Sequence, residues 1–371
     1  MLTYLDHAAT TPMRAAAVEA MLPFFTERFA NPSGSHRFAR DARKAIDEAR
    51  DQVAELVGVK PGEVVFTGCG TESDNSVVSG AAGTVVCPAV EHHAVLQPVE
   101  HRGGVVVGVD AAGRVDLDQL ASALTPDVAL VSVMAVNNEV GTVTDLAAVS
   151  QLVRSRAPRA LLHTDAVQAA CWLDLRDIAR HVDLMSLSAH KFGGPKGVGV
   201  LTIRDGATLA PLMLGGGQER ERRSGTHNVA GIVALATALA ETDAERGESN
   251  VRVAALRDRL VDGLLARVDG SVETVARDRK VPGSAHMCFE GIESESLLFL
   301  LDEAEVCASA ASACASGAME PSHVLAAMGV PTTRTQGALR MSLGHTTTEA
   351  DVDRAVDVVA DSVTQLRRLF V

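Results

Sequence analysis

Lys191 stands directly after the apolar run 184–187 and just before the turn Gly193-Gly-Pro195. A lysine is a poor choice for such a position unless its amine is used. A desolvated ε-amine loses proton affinity and becomes a nucleophile toward aldehydes. Upstream, a second apolar run at 161–163 leads to an acid, Asp165. An amine at the end of one strand and a carboxylate at the end of another are what pyridoxal 5′-phosphate (PLP) needs. The lysine holds the aldehyde as a Schiff base, and the carboxylate keeps the ring nitrogen protonated so that the ring acts as an electron sink. Each residue alone admits a plainer reading, Lys191 as a structural or solvated cation and Asp165 as a helix cap.

Other segments carry further candidate chemistry. Thr67-Gly-Cys-Gly-Thr-Glu-Ser-Asp-Asn75 follows a strand-like run and opens a helical one, so its glycines, the first-turn amides and the Thr71 hydroxyl suit a phosphate. It matches neither the dinucleotide fingerprint nor a Walker loop. In Glu91-His-His93, His92 is either a core or surface histidine or an imidazole placed over a flat ring. Val136-Asn-Asn-Glu-Val-Gly141 supplies amides suited to a phenolic oxygen. Arg222-Arg-Ser-Gly-Thr-His-Asn228 reads as a solvated turn or a second phosphate contact. Arg340 lies in an apolar run and calls for an anionic partner, which a substrate carboxylate would match. Small residues crowd around Cys314, so this stretch reads as a flexible loop whose thiol is open and reactive.

These residues need a scaffold of buried strands. Continuous runs at 64–66, 84–87, 105–107, 129–134, 161–163, 184–186 and 198–203 suit strands covered on both faces. Helical spacing separates them. In 38–57, Phe38, Ala42, Ile46, Ala49, Val53 and Leu56 recur at steps of three or four, with Gly58 just past the end. The expected fold is α/β: a large domain with a mostly parallel seven-stranded sheet flanked by helices, plus a smaller α+β domain. Ligands of such sheets bind at the strands' carboxyl ends. The texture changes near residue 246, where a helix at 249–268, a strand near 284–289, a helix at 294–303 and a terminal helix from Thr348 follow. The expected division is 13–246 for the large PLP-binding domain and 1–12 with 247–371 for the small one.

Composition excludes several classes. The chain has 371 residues, 47% hydrophobic and 22% charged, which is globular. A net charge of -13 disfavours a nucleic-acid surface. No apolar run approaches the roughly 20 residues of a membrane span, and the N-terminus lacks signal-peptide character, so a cytoplasmic protein is expected. The six cysteines show no C-x-x-C pair and no metal-like spacing with histidine, so no metal site is expected. Apart from Cys314, each reads as a free, buried, inert thiol.

Taken in order, from Tyr4-Leu-Asp-His-Ala-Ala-Thr-Thr-Pro12 and Asn31-Pro-Ser-Gly-Ser-His36 to the Cys314 and Arg340 segments, the chain resembles the cysteine desulfurases of the NifS/IscS type. These belong to the class V aminotransferase group of fold-type I PLP enzymes, and the likeness runs over essentially the whole chain. The resemblance implies that Lys191 is the Schiff-base lysine and proton shuttle, that Asp165 pairs with the ring nitrogen, and that His92 stacks on the ring. Gln168 and Asn138 would contact the ring oxygen. Gly70, Thr71, Ser188 and His190 would hold the phosphate, with Thr226 reaching it from the other subunit of a homodimer. Arg340 and Asn138 would take the carboxylate of L-cysteine. Cys314 would attack its sulfur, leaving a persulfide and alanine. The long stretch running to Met319-Glu-Pro-Ser322 resembles the mobile loop of the group that serves iron–sulfur assembly, so an iron–sulfur scaffold protein or another sulfur acceptor is the implied partner, with tRNA thiolation a further outlet.

Departures from the family pattern are Ala310-Ala-Ser-Ala-Cys314 where Ser-Gly-Ser-Ala-Cys is frequent, His345 where arginine is common, and Cys69 in the phosphate turn. The competing readings are a selenocysteine lyase or other class V lyase or aminotransferase, and a non-catalytic sulfur-transfer scaffold. The loop cysteine speaks against the aminotransferases, and the intact Lys191, Asp165 and Cys314 speak against the scaffold.

Overall fold

The structure is a computed structural model that describes residues 2–310 and 322–369. Its strands are β1 (Thr3–Tyr4), β2 (Val64–Thr67), β3 (Thr84–Pro88), β4 (Val105–Val107), β5 (Val128–Ser132) and β6 (Leu161–Asp165). They continue as β7 (Leu184–Ser188), β8 (Gly199–Ile203), β9 (Ser271–Glu273), β10 (Ser284–Phe289), β11 (Val306–Cys307) and β12 (Ala338–Ser342). Seven of them form the main sheet in the order β2-β8-β7-β6-β5-β3-β4. Neighbours from β7 through β4 are parallel, and β8 runs antiparallel to both β2 and β7. All seven expected strands are present, and the mostly parallel α/β sheet is the expected one. The edge differs: Val105 and Val106 of β4 are exposed, because only one neighbour covers them.

This sheet brings the chemistry together. In the β6–β7 register Asp165 lies opposite Ser186, so the last residue of β6 sits beside the end of β7. Ser188 closes β7, and a tight turn over Ala189–Lys191 follows at once. The helix Arg37–Val57 ends at Gly58, whose φ of 80° is left-handed. A Cβ there would also crowd the Arg176 side chain at 3.0 Å, so glycine is required on both counts. That helix buries Ala39, Ala42, Ile46, Ala49 and Val53. Phe38, expected on the buried stripe, is instead 63% exposed.

A second apolar core collects the sheet β12-β10-β9, the helices Ser294–Glu303 and Glu349–Leu369, and Leu5 from the N-terminal segment. Leu260, Leu264, Met287, Leu297 and Val359 are fully buried there, each worth about 1.5–3 kcal/mol by burial. The helix expected to start at 249 is part of one helix, Val229–Arg267, of 39 residues. Its first half packs Ile232, Leu235 and Leu239 into the first core and its second half packs Val253, Leu256 and Leu260 into the second. Between them the polar stretch crosses from one core to the other, which is why the sequence there looks like a break. Among the described residues no helix is long and apolar enough to cross a membrane.

The loop at 217–226 is held by charge. Glu219, Arg220 and Glu221 have φ values of 50°, 57° and 66°, left-handed backbone that side chains disfavour. Arg50 grips both Glu219 oxygens at 2.6 and 2.8 Å, the Phe66 amide donates to one at 2.9 Å, and His227 lies at 2.7 Å. Burial alone would push this carboxyl up. The bonds from His227 and Arg50, the Arg50 charge and the Phe66 amide outweigh burial and hold it at about 2. Glu219→Gln should therefore cost about 3 kcal/mol, read as a lower urea midpoint. Because the folded-state value is depressed, the wild-type advantage should be full above the ordinary value of 4.5 and shrink as the pH falls toward 2. Equal midpoints at neutral pH would overturn this role.

Candidate active site

A cavity of about 350 Å³ opens at the carboxyl ends of β6 and β7, against the start of the helix Gly70–Gly80. Gly70, Thr71, His92, Asn138, Asp165, Gln168, Ser188, His190, Lys191 and Arg340 all line it. Thr226 does not: it is exposed and lies outside the cavity of its own chain. Cys314 lies outside the described residues.

Lys191 is the centre of the site. Its Nζ donates to the backbone oxygens of Ala8 at 2.6 Å and Ala9 at 2.8 Å. Burial, followed by the Arg340 charge, lowers its pKa to about 8 against the opposing pull of Asp165 and Asp6. Asp165 is 5% exposed and accepts from the Val167 amide at 2.8 Å. Burial raises it to about 6, with the Val167 amide and the Lys191 charge restraining the rise. A neutral solution therefore leaves Asp165 mostly charged and Lys191 within reach of its neutral, nucleophilic form.

At the helix end, Cys69 provides no side-chain cap, so the first-turn amides of Gly70–Gly80 are not occupied by a capping side chain. A Cβ on Gly70 would meet Val167 Cγ2 at 2.7 Å, so glycine is what lets this backbone pass the strand end. Ser188 Oγ is buried without a hydrogen-bond partner, an orphaned donor aimed at no protein group. His190 Nδ1 lies 3.1 Å from Thr10 Oγ1, and burial followed by the charges of Lys191 and Lys196 lowers its pKa to about 4.

His92 caps the helix His93–His101, its Nδ1 accepting from the Ala94 amide at 3.1 Å. That bond places the remaining ring proton on Nε2. Its ring is open to the cavity, yet partial desolvation and then the charge of Lys191 lower its pKa to about 4. Gln168 Nε2 donates to Ala8 O at 2.8 Å. Arg340 donates to Asn138 O at 3.0 Å and to Asp6 Oδ1 at 2.8 Å. The anionic partner expected for Arg340 is thus supplied within the chain, by Asp6. Arg222 and Arg223 are also engaged, Arg222 with Gly62 O at 2.8 Å and Arg223 with Glu72 at 2.7 Å, rather than solvated.

The chain matches the class-V aminotransferase family over residues 3–355 and belongs to it. It is 44% identical to a protein of Gluconacetobacter diazotrophicus named cysteine desulfurase, covering 99% of this chain and 94% of that relative. It is 45% identical to an IscS-like cysteine desulfurase of Mycobacterium tuberculosis, over 99% of this chain and 98% of the relative. Among solved structures, one described as a NifS-like protein superposes with a TM-score of 0.92 at 36% identity, covering 99% and 100% of the two chains. Another, described as SspA in complex with cysteine, gives 0.81 at 31% identity over 92% of this chain and 98% of that one. PLP is the cofactor of these enzymes, and the cavity fits it: an uncapped helix start, an orphaned buried hydroxyl at Ser188, a backbone cradle at Gly70, and a buried carboxylate beside a lysine of lowered pKa.

Some cavity residues were not singled out from the sequence. Asp74 is 1% exposed, and its Oδ1 has no hydrogen-bond partner. Burial and then the Asp165 charge raise its pKa well above the ordinary range, so the proton rests on Asp74 and the charge on Asp165. The available signal was spacing: Asp74 follows Gly70 by four residues, one helical turn, on the same face. The carbonyls of Ala8 and Ala9 had no signal, since any residue carries a carbonyl. Cys69 also lines the cavity and is half-buried, against the expectation of an inert core thiol. In protein stripped of PLP, iodoacetamide should label Cys69. Reloading should slow that labelling roughly tenfold or more, since bound cofactor leaves little open cavity. Mass-spectrometric mapping checks this, and equal labelling with and without cofactor would remove Cys69 from the cofactor's footprint.

Proposed function

We propose that this chain is a PLP-dependent cysteine desulfurase that takes sulfur from L-cysteine, releases L-alanine, and carries the sulfur as a persulfide on Cys314. One observation carries the reading: an amine lowered to about 8, a buried carboxylate, an uncapped helix start and an arginine converge on one cavity. The relatives named cysteine desulfurase and the similar structure described with cysteine support the same substrate.

Bound PLP supplies an electron sink conjugated to the substrate nitrogen. The chain's own groups do the rest. Asp165 holds a proton at the ring nitrogen. Gly70, Thr71, Ser188 and His190 would hold the phosphate, His92 would take the ring, and Asn138 and Gln168 would take the ring oxygen. Arg340, steadied by Asp6, takes the substrate carboxylate with Asn138. Lys191 removes the Cα proton and returns one to the product. The Cys314 thiolate attacks the substrate sulfur: a sulfur–sulfur bond forms, the carbon–sulfur bond breaks, and its electrons stay with the carbon skeleton that leaves as alanine.

Ser309 pairs with Arg340 through both backbone bonds, at 3.1 and 2.7 Å. Cys314 follows Ser309 by five residues in the sequence, so the stretch that bears it sets out from the backbone partner of Arg340. Cys307, by contrast, lies in β11, and burial with the charges of Asp302 and Asp6 pushes its thiol up, leaving less thiolate. In this reading residues 13–246 hold the cofactor, and 1–12 with 247–371 form the smaller domain that carries Cys314. The exposed Thr226 completes the cavity of a second copy, making a homodimer. The acceptor is a protein in the cytoplasm, an iron–sulfur scaffold or another sulfur carrier.

Incubation with L-cysteine should yield alanine and a persulfide mapping to Cys314. Cys314→Ser should bind PLP and still change its spectrum with L-cysteine, but release no alanine. A persulfide on Cys307 instead, or normal alanine from Lys191→Ala, would overturn the assignment. Thr226→Ala should be impaired alone, and mixing it with Lys191→Ala should restore activity as subunits exchange. Absence of recovery despite exchange seen by native mass spectrometry would sink the shared cavity.

A further inference from the structure

The chain on either side of 311–321 is tied to a residue that lines the cavity or to the sequence neighbours of residues that do. On the entering side, Ser309 is bridged to Arg340. On the leaving side, Ser322 Oγ donates to Glu139 Oε1 at 2.6 Å, and His323 Nε2 lies 3.0 Å from Glu91 O. Glu139 adjoins Asn138, and Glu91 adjoins His92.

The Ser322 contact is directional. Its oxygen already accepts from the Leu325 amide at 3.0 Å as the cap of the helix His323–Ala327, so its single hydrogen is free to point at Glu139. Glu139 is 2% exposed, and its amide donates to Asn137 Oδ1 at 2.9 Å. Asn137 Nδ2 in turn donates to Val90 O at 3.0 Å. The wall that receives Ser322 is therefore braced to the loops carrying both Asn138 and His92.

We propose that Glu139 and Ser322 are a positioning pair for sulfur transfer: their bond fixes where the chain bearing Cys314 rejoins the fold, against the wall that presents Asn138 and Arg340. This rests on the desulfurase reading. Neither residue touches the reacting atoms. A fixed return point raises the effective concentration of the thiol at the substrate sulfur, and loosening it lowers that concentration without altering the amine chemistry at Lys191.

Two steps can be read separately in the holoenzyme. Exchange of the Cα hydrogen of L-alanine in D₂O, followed by NMR, reports Lys191 and needs no Cys314. Single-turnover persulfide formation with L-cysteine reports the thiol. Ser322→Gly removes the hydroxyl at a helix cap where glycine is well tolerated. It should slow persulfide formation roughly tenfold, the size of one buried hydrogen bond, while exchange stays unchanged. Glu139→Gln should give a smaller loss, since the amide oxygen still accepts, and Ser322→Thr should restore most of the rate. The double variant should lose no more than Ser322→Gly alone, as expected for one shared bond. Unchanged persulfide formation in Ser322→Gly, or an equal fall in both steps, would overturn the pairing. Absence of exchange or persulfide in the unaltered protein would instead strike the desulfurase reading itself.

Discussion

A lysine amine taken out of water at the end of β7 sets the terms for the surrounding structure. Its hydrogens must be received, and Ala8 and Ala9 receive them, so the N-terminal segment has to cross the cavity. That crossing is pinned repeatedly. Thr11 donates from its amide and hydroxyl to His190 O at 2.9 and 3.0 Å, and the Gly193 amide donates back to Thr11 Oγ1 at 2.9 Å. The Ala8 amide donates to Ser342 Oγ of β12 at 2.8 Å. One half-buried amine thus joins the strand end that carries it, the chain's first residues and the second core.

The carboxyls beside the amine show the same constraint from the other side. Two acids in one low-dielectric wall do not both ionise without large cost. Asp165 has the Val167 amide and the Lys191 charge to support its anion, whereas Asp74 has an oxygen without a partner. The charge therefore settles where the cofactor nitrogen would need it, and Asp74 stays neutral behind it. Glu91, fully buried with one oxygen bonded to the Met134 amide at 2.6 Å, is pushed up by burial in the same way.

The two apolar cores meet along the helix Val229–Arg267 and the N-terminal segment, and Arg340 and Lys191 come to one cavity from opposite sides of that meeting. Arg340 belongs to β12, which pairs with β10 and shares the second core with it, while Lys191 follows β7 of the main sheet. Asp6 and the carbonyl of Asn138 hold the guanidinium across the gap.

Much of this was legible in the sequence because local physics dictates it. Strands of a sheet covered on both faces favour continuous apolar runs, and such runs announced all seven strands of the main sheet. A glycine turn before a helix, an acid ending one run and a lysine after another are local patterns, and the residues they named line one cavity. What failed or went unseen depended on partners far away in the chain. The polar middle of the Val229–Arg267 helix resembled a helix start because nothing local reveals that two cores grip its ends. Arg340 called for an anion, but only the packing of β12 against residue 6 decided that Asp6 supplies it. The amine's backbone acceptors, the neutrality of Asp74 and the contact of Ser322 with Glu139 are likewise invisible to spacing. Residue type and order determined which groups could do chemistry, and tertiary structure alone decided their charge, their partners and their distances, because those follow from desolvation and from neighbours that sequence separation does not encode.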